Sequence, residues 1–455
     1  MTIQFCGAAQ EVTGSCHLLT LDDGFTILLD CGLYQGNSDN MKDFNEKWLF
    51  NPATIDCMVL SHAHIDHTGR IPRLVKDGFR GKIYATHATR DLAAIMMLDS
   101  AEIQENDRKH QPAFYETQDV TQAMGQFVSY GYNNWFNIRD NVKVFFADAG
   151  HILGSASVTF EVTEENKTVR FGFSGDIGRY NRPILRDPQP MPELDYLVCE
   201  STYGNKLHQE KPDETARFAN IVRETCVEKG GKIIIPAFSI GRTQEIVHLL
   251  DVLIGEGKLP PVTTYVDSPL AIDATDIFVK HPECFDDEIL QFLLRNPNPF
   301  GFKSLKFLKS SNESRALKDS NEPCIIIASS GMATGGRIRQ HLENYVSNPT
   351  ATIMIVGYAA PNTPAGQLRN GNKQVRIFKD KREVKARVEV MESFSAHADY
   401  SEILRFLEGK NQRLKQMWLV HGELESQQGF KTRLENAGFA NVTIPKLGDI
   451  AEISF

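Results

Sequence analysis

Ser61-His62-Ala63-His64-Ile65-Asp66-His67-Thr68-Gly69 follows directly on the apolar run 55–60 and sets three imidazoles and one carboxylate within six positions. Imidazole nitrogen and carboxylate oxygen are the donors that zinc and its first-row neighbours take. A strand is expected to end near Leu60. In extended chain, residues two apart point to the same side, so His62 and His64 can face one ion together. Asp66 and His67 fall where the chain turns into a helix marked by Ile71, Leu74 and Val75. One stretch can therefore supply two ligands to one metal and two to a neighbour. The bland alternative is a polar loop of solvated histidines, but 13 histidines in 455 residues seldom assemble this pattern by chance. A metalloenzyme is expected.

Length and composition bound the rest. A chain of 455 residues suits about two or three domains, each with its own core. The 41% hydrophobic and 24% charged content is that of an ordinary globular protein. No apolar run approaches the roughly 18 residues of a membrane span, and the start shows no basic segment with an apolar stretch behind it. A cytoplasmic protein with no membrane partner is expected. Eight cysteines are scattered without a Cys-x-x-Cys, which reads as buried free thiols in a reducing compartment. The net charge of −9 argues against a generally polyanion-binding surface, while leaving room for a local basic groove.

Two textures follow one another along the chain. Residues 3–7, 15–21 and 25–30 read as strands, with Asp22-Asp23-Gly24 as a tight turn. Val158, Phe160 and Val162, then Val169, Phe171 and Phe173, alternate with polar residues as a half-buried hairpin. Residues 86–140 read as mainly helical. From about residue 206, Pro212-Asp213 opens a helix with Phe218, Ile221, Val222 and Cys226 on one face, and the unalternating strand 233–235 follows. Continuous Ile/Val runs separated by helices indicate a parallel sheet covered on both faces. Strands return after about residue 380.

Further candidates stand at strand ends: Asp30, His151, Asp176 in Ser-Gly-Asp, Glu200, His397 in Ser-Ala-His-Ala-Asp, and His421 in Val-His-Gly-Glu. Taken singly, a strand-terminal His or Asp is more often a cap or a satisfied polar group. Together with 62–67 they gain weight, because active-site groups gather at strand ends. His17 and the six other histidines read as structural or solvated.

The ordered set Asp30, His62-x-His64-x-Asp66-His67, His151 and Asp176 is similar to the signature of the metallo-β-lactamase superfamily. Glu200-Ser-Thr-Tyr-Gly204, His397 and His421, spread around a long α/β insertion, resemble the further motifs of its β-CASP branch. The resemblance covers nearly the whole chain. It implies an α/β fold, an αββα sandwich split by an inserted, parallel-sheet, Rossmann-like domain, with parts at 1–205, 206–380 and 381–455. It implies two zinc ions per chain, one on His62, His64 and His151, the other on Asp66, His67 and His421, with Asp176 bridging. Phosphodiester hydrolysis by a two-metal-activated hydroxide would follow, with Asp66, His397 and Glu200 as the catalytic set. In that scheme His397 protonates the leaving 3′ oxygen, Glu200 orients it, and Asp30 supports the ligands from behind.

The inserted segment carries two Gly-rich helix entries, 236–242 and 329–337. Free amides at a helix start can hold phosphate. Ser330, Gly331, Arg242 and Arg337 are the phosphate and RNA-binding candidates, against the reading that the glycines only make tight turns. By resemblance, His421 points to RNA, since the DNA-repair branch commonly has Val there. The expectation is a compact endoribonuclease of the polyadenylation-endonuclease type, without appended extensions, cutting single-stranded RNA to 5′-phosphate and 3′-hydroxyl ends. The resemblance leaves 5′–3′ exonuclease activity and a homodimer open. Two departures bear on substrate choice: the proline-stiffened stretch from Gly357 to Leu368, and the charged Lys379-Asp-Lys-Arg-Glu383. The competing readings are a metallo-hydrolase of a small ester or thioester and a non-catalytic RNA-binding subunit.

Overall fold

Strand His17–Thr20 runs antiparallel to Thr26–Leu29 across the turn at 22–24, and Thr2–Phe5 pairs with His17–Thr20 on its other side. From Thr26–Leu29 onward the pairing turns parallel, through Cys57–Val59 and Lys82–Thr86 to Phe127–Tyr130. Ile450–Glu452 closes the other edge, giving a seven-stranded sheet among the described residues. A second seven-stranded sheet runs in the order Val442–Thr443, Gln416–Val420, Tyr196–Glu200, Lys167–Phe173, Ala156–Glu164, Val142–Asp148, Trp135–Arg139. The inward residues of both sheets make one core, with Ile3, Phe5, Leu29 and Val59 from the first and Phe146, Phe160, Phe171, Val198 and Trp418 from the second.

Helix His87–Asn106 packs on the first sheet, while Ile403, Phe406, Phe430 and Leu434 from helices Tyr400–Phe406 and Leu424–Asn436 form a second apolar cluster with Leu197 and Leu419. The result is the αββα sandwich. This computed structural model describes residues 1–35, 42–106, 113–208, 213–357, 359–391 and 394–455. By contact they divide into two units, Met1–Leu207 with His397–Phe455, and His208–Ala396.

Within 86–140, the described residues are less helical than the sequence suggests. Helices His87–Asn106 and Thr117–Met124 are followed by strands Phe127–Tyr130 and Trp135–Arg139. Phe127, Val128, Tyr130 and Trp135 are aromatic or β-branched, and cross-strand pairing with Lys82–Thr86 and Val142–Asp148 decides their state. Phe136 is buried, whereas Trp135 keeps 37% exposure.

His17 lies fully buried in the first unit, edge-on to the rings of Phe5 and Phe173, and neither ring nitrogen has a hydrogen-bond partner. Burial, reinforced by His67 and His421, pushes its pKa down to about 3. The unfolded chain binds a proton at this position near pH 6.5 and the native one does not. His17 therefore costs nothing extra above pH 6.5 and erodes stability as the pH falls toward 3. His17→Phe keeps the ring contacts and removes two unpartnered nitrogens. It is expected to raise stability by about 1–3 kcal/mol at pH 7 and by more at pH 4. Melting temperatures of both proteins across this range test it, and a gain that does not widen on acidification would refute the titration argument.

The second unit holds a six-stranded, all-parallel sheet in the order Leu305–Phe307, Thr263–Val266, Cys324–Ala328, Lys232–Pro236, Thr352–Val356, Arg387–Met391. Ile233, Ile234 and Ile235 are all fully buried, which is why the strand shows no alternation. Helix Glu214–Val222 starts where the Asp213 carboxylate accepts from the Ala216 amide; Pro212 lies outside the described residues. Ser268 likewise caps Pro269–Lys280. Strand Arg387–Met391 pairs with Thr352–Val356, and by contact the second unit runs on to Ala396. No helix among the described residues is long and apolar enough to cross a membrane.

Candidate metal centre

Parallel strands that end in register bring their next residues to one edge of the sheet. Leu29 and Val59 are partners, and so are Glu200 and Val420. Asp30, the 61–67 loop, Glu200 and His421 therefore emerge together, joined by His151 after Val142–Asp148 and Asp176 after Lys167–Phe173. Asp30 (φ 56°) and His421 (φ 51°) adopt the left-handed conformation at their strand ends, a cost that overdetermined functional positions carry. Gly32 permits a further close approach, since a Cβ there would stand 1.6 Å from the Asp66 carbonyl oxygen.

The side chains fall into two groups. In the first, His64 Nδ1 lies 3.1 Å from His62 Nε2 and 3.2 Å from His151 Nε2. In the second, His421 Nε2 lies 3.4 Å from both His67 Nε2 and Asp66 Oδ2. Asp176 belongs to both, with Oδ2 at 3.5, 3.4 and 3.6 Å from the Nε2 atoms of His62, His67 and His151, and Oδ1 at 3.5 Å from His421 Nδ1. Ligands about 2.05 Å from a tetrahedral ion stand about 3.3 Å apart, the spacing found here.

Four further observations fit a cation. Asp176 is buried, and its Oδ1 accepts no hydrogen bond. Burial holds the His62 imidazole well below its ordinary pKa and His64 down to about 4, so both are neutral and keep a lone pair. Burial opposes ionisation of Asp176, but the surrounding imidazoles outweigh it and hold the carboxyl well below its usual range. Burial would likewise lower His67, yet the Asp176 and Asp30 carboxylates push it well above 6.5. The pocket thus demands positive charge, and a divalent ion can supply what the His67 proton supplies without it.

Tautomers are set from behind. Asp30 Oδ2 stands 2.6 Å from His67 Nδ1, and since a carboxylate only accepts, that nitrogen carries the proton and Nε2 faces the pocket. The same carboxylate accepts from the Ser61 amide and from the hydroxyls of Ser61 and Ser15. Ser61 Oγ is also 3.1 Å from His62 Nδ1, and Thr202 Oγ1 is 3.1 Å from His421 Nδ1. Ser61 and Thr202 stand inside the sequence stretches 61–69 and 200–204, beside or two positions from His62 and Glu200, but residue type and spacing assign them no such task.

His397 stands beside the pocket, its Nδ1 3.3 Å from Glu200 Oε1 and its Nε2 3.9 Å from Asp176 Oδ2. The Ala398 amide donates to the Ile177 carbonyl, which fastens this loop next to Asp176. Glu200 is fully buried and accepts from the amides of Ile177 and Thr202. Burial alone would lower the His397 pKa, but Glu200 and Asp176 overcome it and raise it to about 9. At neutral pH His397 is therefore a cationic proton donor.

The other four candidates lie in the second unit, and packing there engages them. The Arg337 guanidinium donates to Asp267 and to the carbonyls of Leu308 and Lys309. Arg242 is 6% exposed and paired with Glu245 at 2.6 Å, its Nε without a partner. Ser330 closes a turn with Gly335, and Gly331 faces the Phe238 ring, 2.8 Å from where its Cβ would stand.

Residues 18–170 match the metallo-beta-lactamase superfamily domain, 243–368 the Beta-Casp domain, and 381–445 the Zn-dependent metallo-hydrolase RNA specificity domain. Ribonuclease TTHA0252 of Thermus thermophilus is 34% identical over 92% of this chain and 92% of its own length. The RNase J-like protein of Methanocaldococcus jannaschii is 32% identical over 99% of both chains. Transcription termination factor FttA of Methanosarcina mazei is 29% identical over 97% of this chain and 71% of its own.

Proposed function

Because the chain belongs to the β-CASP branch of the metallo-β-lactamase superfamily, we propose that it is a metal-dependent ribonuclease. It hydrolyses internal phosphodiester bonds of single-stranded RNA, leaving 5′-phosphate and 3′-hydroxyl ends. The observation that carries the reading is two ligand groups, with Asp176 in the first and within 3.5 Å of two imidazoles of the second, beside the His397–Glu200 pair. His62, His64, His151 and Asp176 would hold one zinc, and Asp66, His67 and His421, with Asp176 between, a second. When bound, such a pair acidifies water and offsets charge building on the phosphoryl oxygens.

The chain's own residues do the rest. Asp30, Ser61 and Thr202 keep His67, His62 and His421 turned toward the pocket. Glu200 accepts from His397 Nδ1, which leaves the Nε2 proton for the departing 3′ oxygen. Eight free, buried cysteines support a reducing, cytoplasmic setting.

The test uses 5′-labelled single-stranded RNA and DNA of the same sequence with the zinc-loaded protein. Internal RNA cuts are expected, lost after chelation and restored by zinc, with DNA left intact. Intact RNA despite two bound zincs would sink the reading, and turnover of S-lactoylglutathione would then favour a small-thioester hydrolase.

A further inference from the structure

In the second unit, strands Gln374–Ile377 and Asp380–Glu383 form an antiparallel hairpin. Its inner side chains, Val375 and Ile377, are 1% exposed and anchored in the core of that unit. The outer face is unusual. Register sets Arg376 directly opposite Lys381, both exposed, and like charges across an antiparallel pair repel. Nearby acids do not relieve them: Glu343 and Asp380 go to Arg382, and Glu383 goes to Lys385. Between residues 373 and 385 stand six basic and two acidic side chains, in a chain whose net charge is −9.

The tip adds an aromatic ring. Phe378 has φ 55°, a conformation that glycine or asparagine takes readily and a bulky residue seldom does. Its ring nonetheless keeps 46% exposure, with the Arg339 guanidinium 4.1 Å from its centroid. Lys379, exposed, completes the turn. A turn serving only the fold gains nothing from a strained, exposed phenyl ring among uncompensated cations.

We propose that this hairpin is an accessory arm for single-stranded RNA. An unpaired base stacks on Phe378, while Arg376, Lys379 and Lys381 hold the flanking phosphates. Any base offers a π face, so the arm adds affinity without reading sequence, and Arg339 strengthens the platform from its side. An acidic protein segment would use the cations and leave the ring idle, so the ring favours nucleic acid. The choice of RNA as the strand rests on the ribonuclease reading.

The test compares the full-length, zinc-loaded protein with Phe378→Gly, Phe378→Trp and the double variant Arg376→Gln/Lys381→Gln. Turnover of an aryl phosphodiester reports the metal centre alone and is expected to stay unchanged in all three. With a 20-nucleotide RNA, Phe378→Gly is expected to raise KM about fivefold or more at constant kcat, and Phe378→Trp to retain the parent value. Because glycine accepts this φ, Phe378→Gly should melt no lower than the parent protein. The double variant is expected to lower the slope of log affinity against log salt by about one to two. A parent that cuts RNA while KM and slope stay fixed in every variant overturns the arm and spares the ribonuclease reading. Weakening in the charge variant alone overturns base stacking on Phe378, the feature that makes the arm specific for a single strand. A parent that neither binds nor cuts RNA defeats the ribonuclease reading and the arm with it.

Discussion

Asp176→Asn is expected to empty both metal sites and abolish cleavage. Asp176 is the carboxylate common to both ligand groups, 3.4–3.6 Å from three imidazole nitrogens through Oδ2. The amide keeps the shape and removes the charge, and one of its two terminal atoms becomes a donor aimed at imidazoles. Removing one partner from a buried charge pair costs about 3–5 kcal/mol, or roughly two to four powers of ten in the affinity of each ion. The variant should retain fewer than one zinc per chain after dialysis. RNA cleavage should fall by at least about a thousandfold. Mass-spectrometric metal counting checks the first part and gel-resolved cleavage the second. Two tightly held zincs in the variant would show that Asp176 is dispensable as a ligand.

His397→Ala separates binding from chemistry. His397 is tied to Glu200 and stands 3.9 Å from Asp176, and because it could also form a ligand group with Asp176 and His421, metal retention decides between the two roles. The variant should keep both zincs and lose about two to four powers of ten in RNA cleavage, the usual worth of a positioned acid. The leaving group supplies the sharper readout. A 3′ alkoxide needs a proton as it departs, whereas p-nitrophenolate leaves without one. Turnover of a p-nitrophenyl phosphodiester should therefore fall far less than RNA cleavage. An equal loss on both substrates, or loss of a zinc, would make His397 a ligand or a packing residue instead.

The donors that the structure gathers are already visible as motifs in the sequence. The 61–69 stretch carries three imidazoles and a carboxylate within six positions, and the structure gathers all four into candidate ligand groups. The unalternating strand 233–235 announced a sheet covered on both faces, and the inserted parallel sheet is what the chain forms. The helical reading of 127–139 failed because pairing with distant strands overrode local texture. Arg337, the phosphate candidate beside a Gly-rich turn, donates to Asp267 seventy positions earlier, a partner that local sequence does not reveal.

The amino-acid sequence by itself determined which donors exist and which strands they follow, since spacing and residue type are local properties. Only the tertiary structure decided which donors stand together and in which protonation state. His67 and His421 meet across 354 positions because strand register brings their strands to one edge. His64 is neutral and His397 charged, although both are imidazoles, because burial dominates one and the Glu200 and Asp176 carboxylates the other. Register and electrostatic environment are sums over the whole fold, and no short stretch of chain contains them.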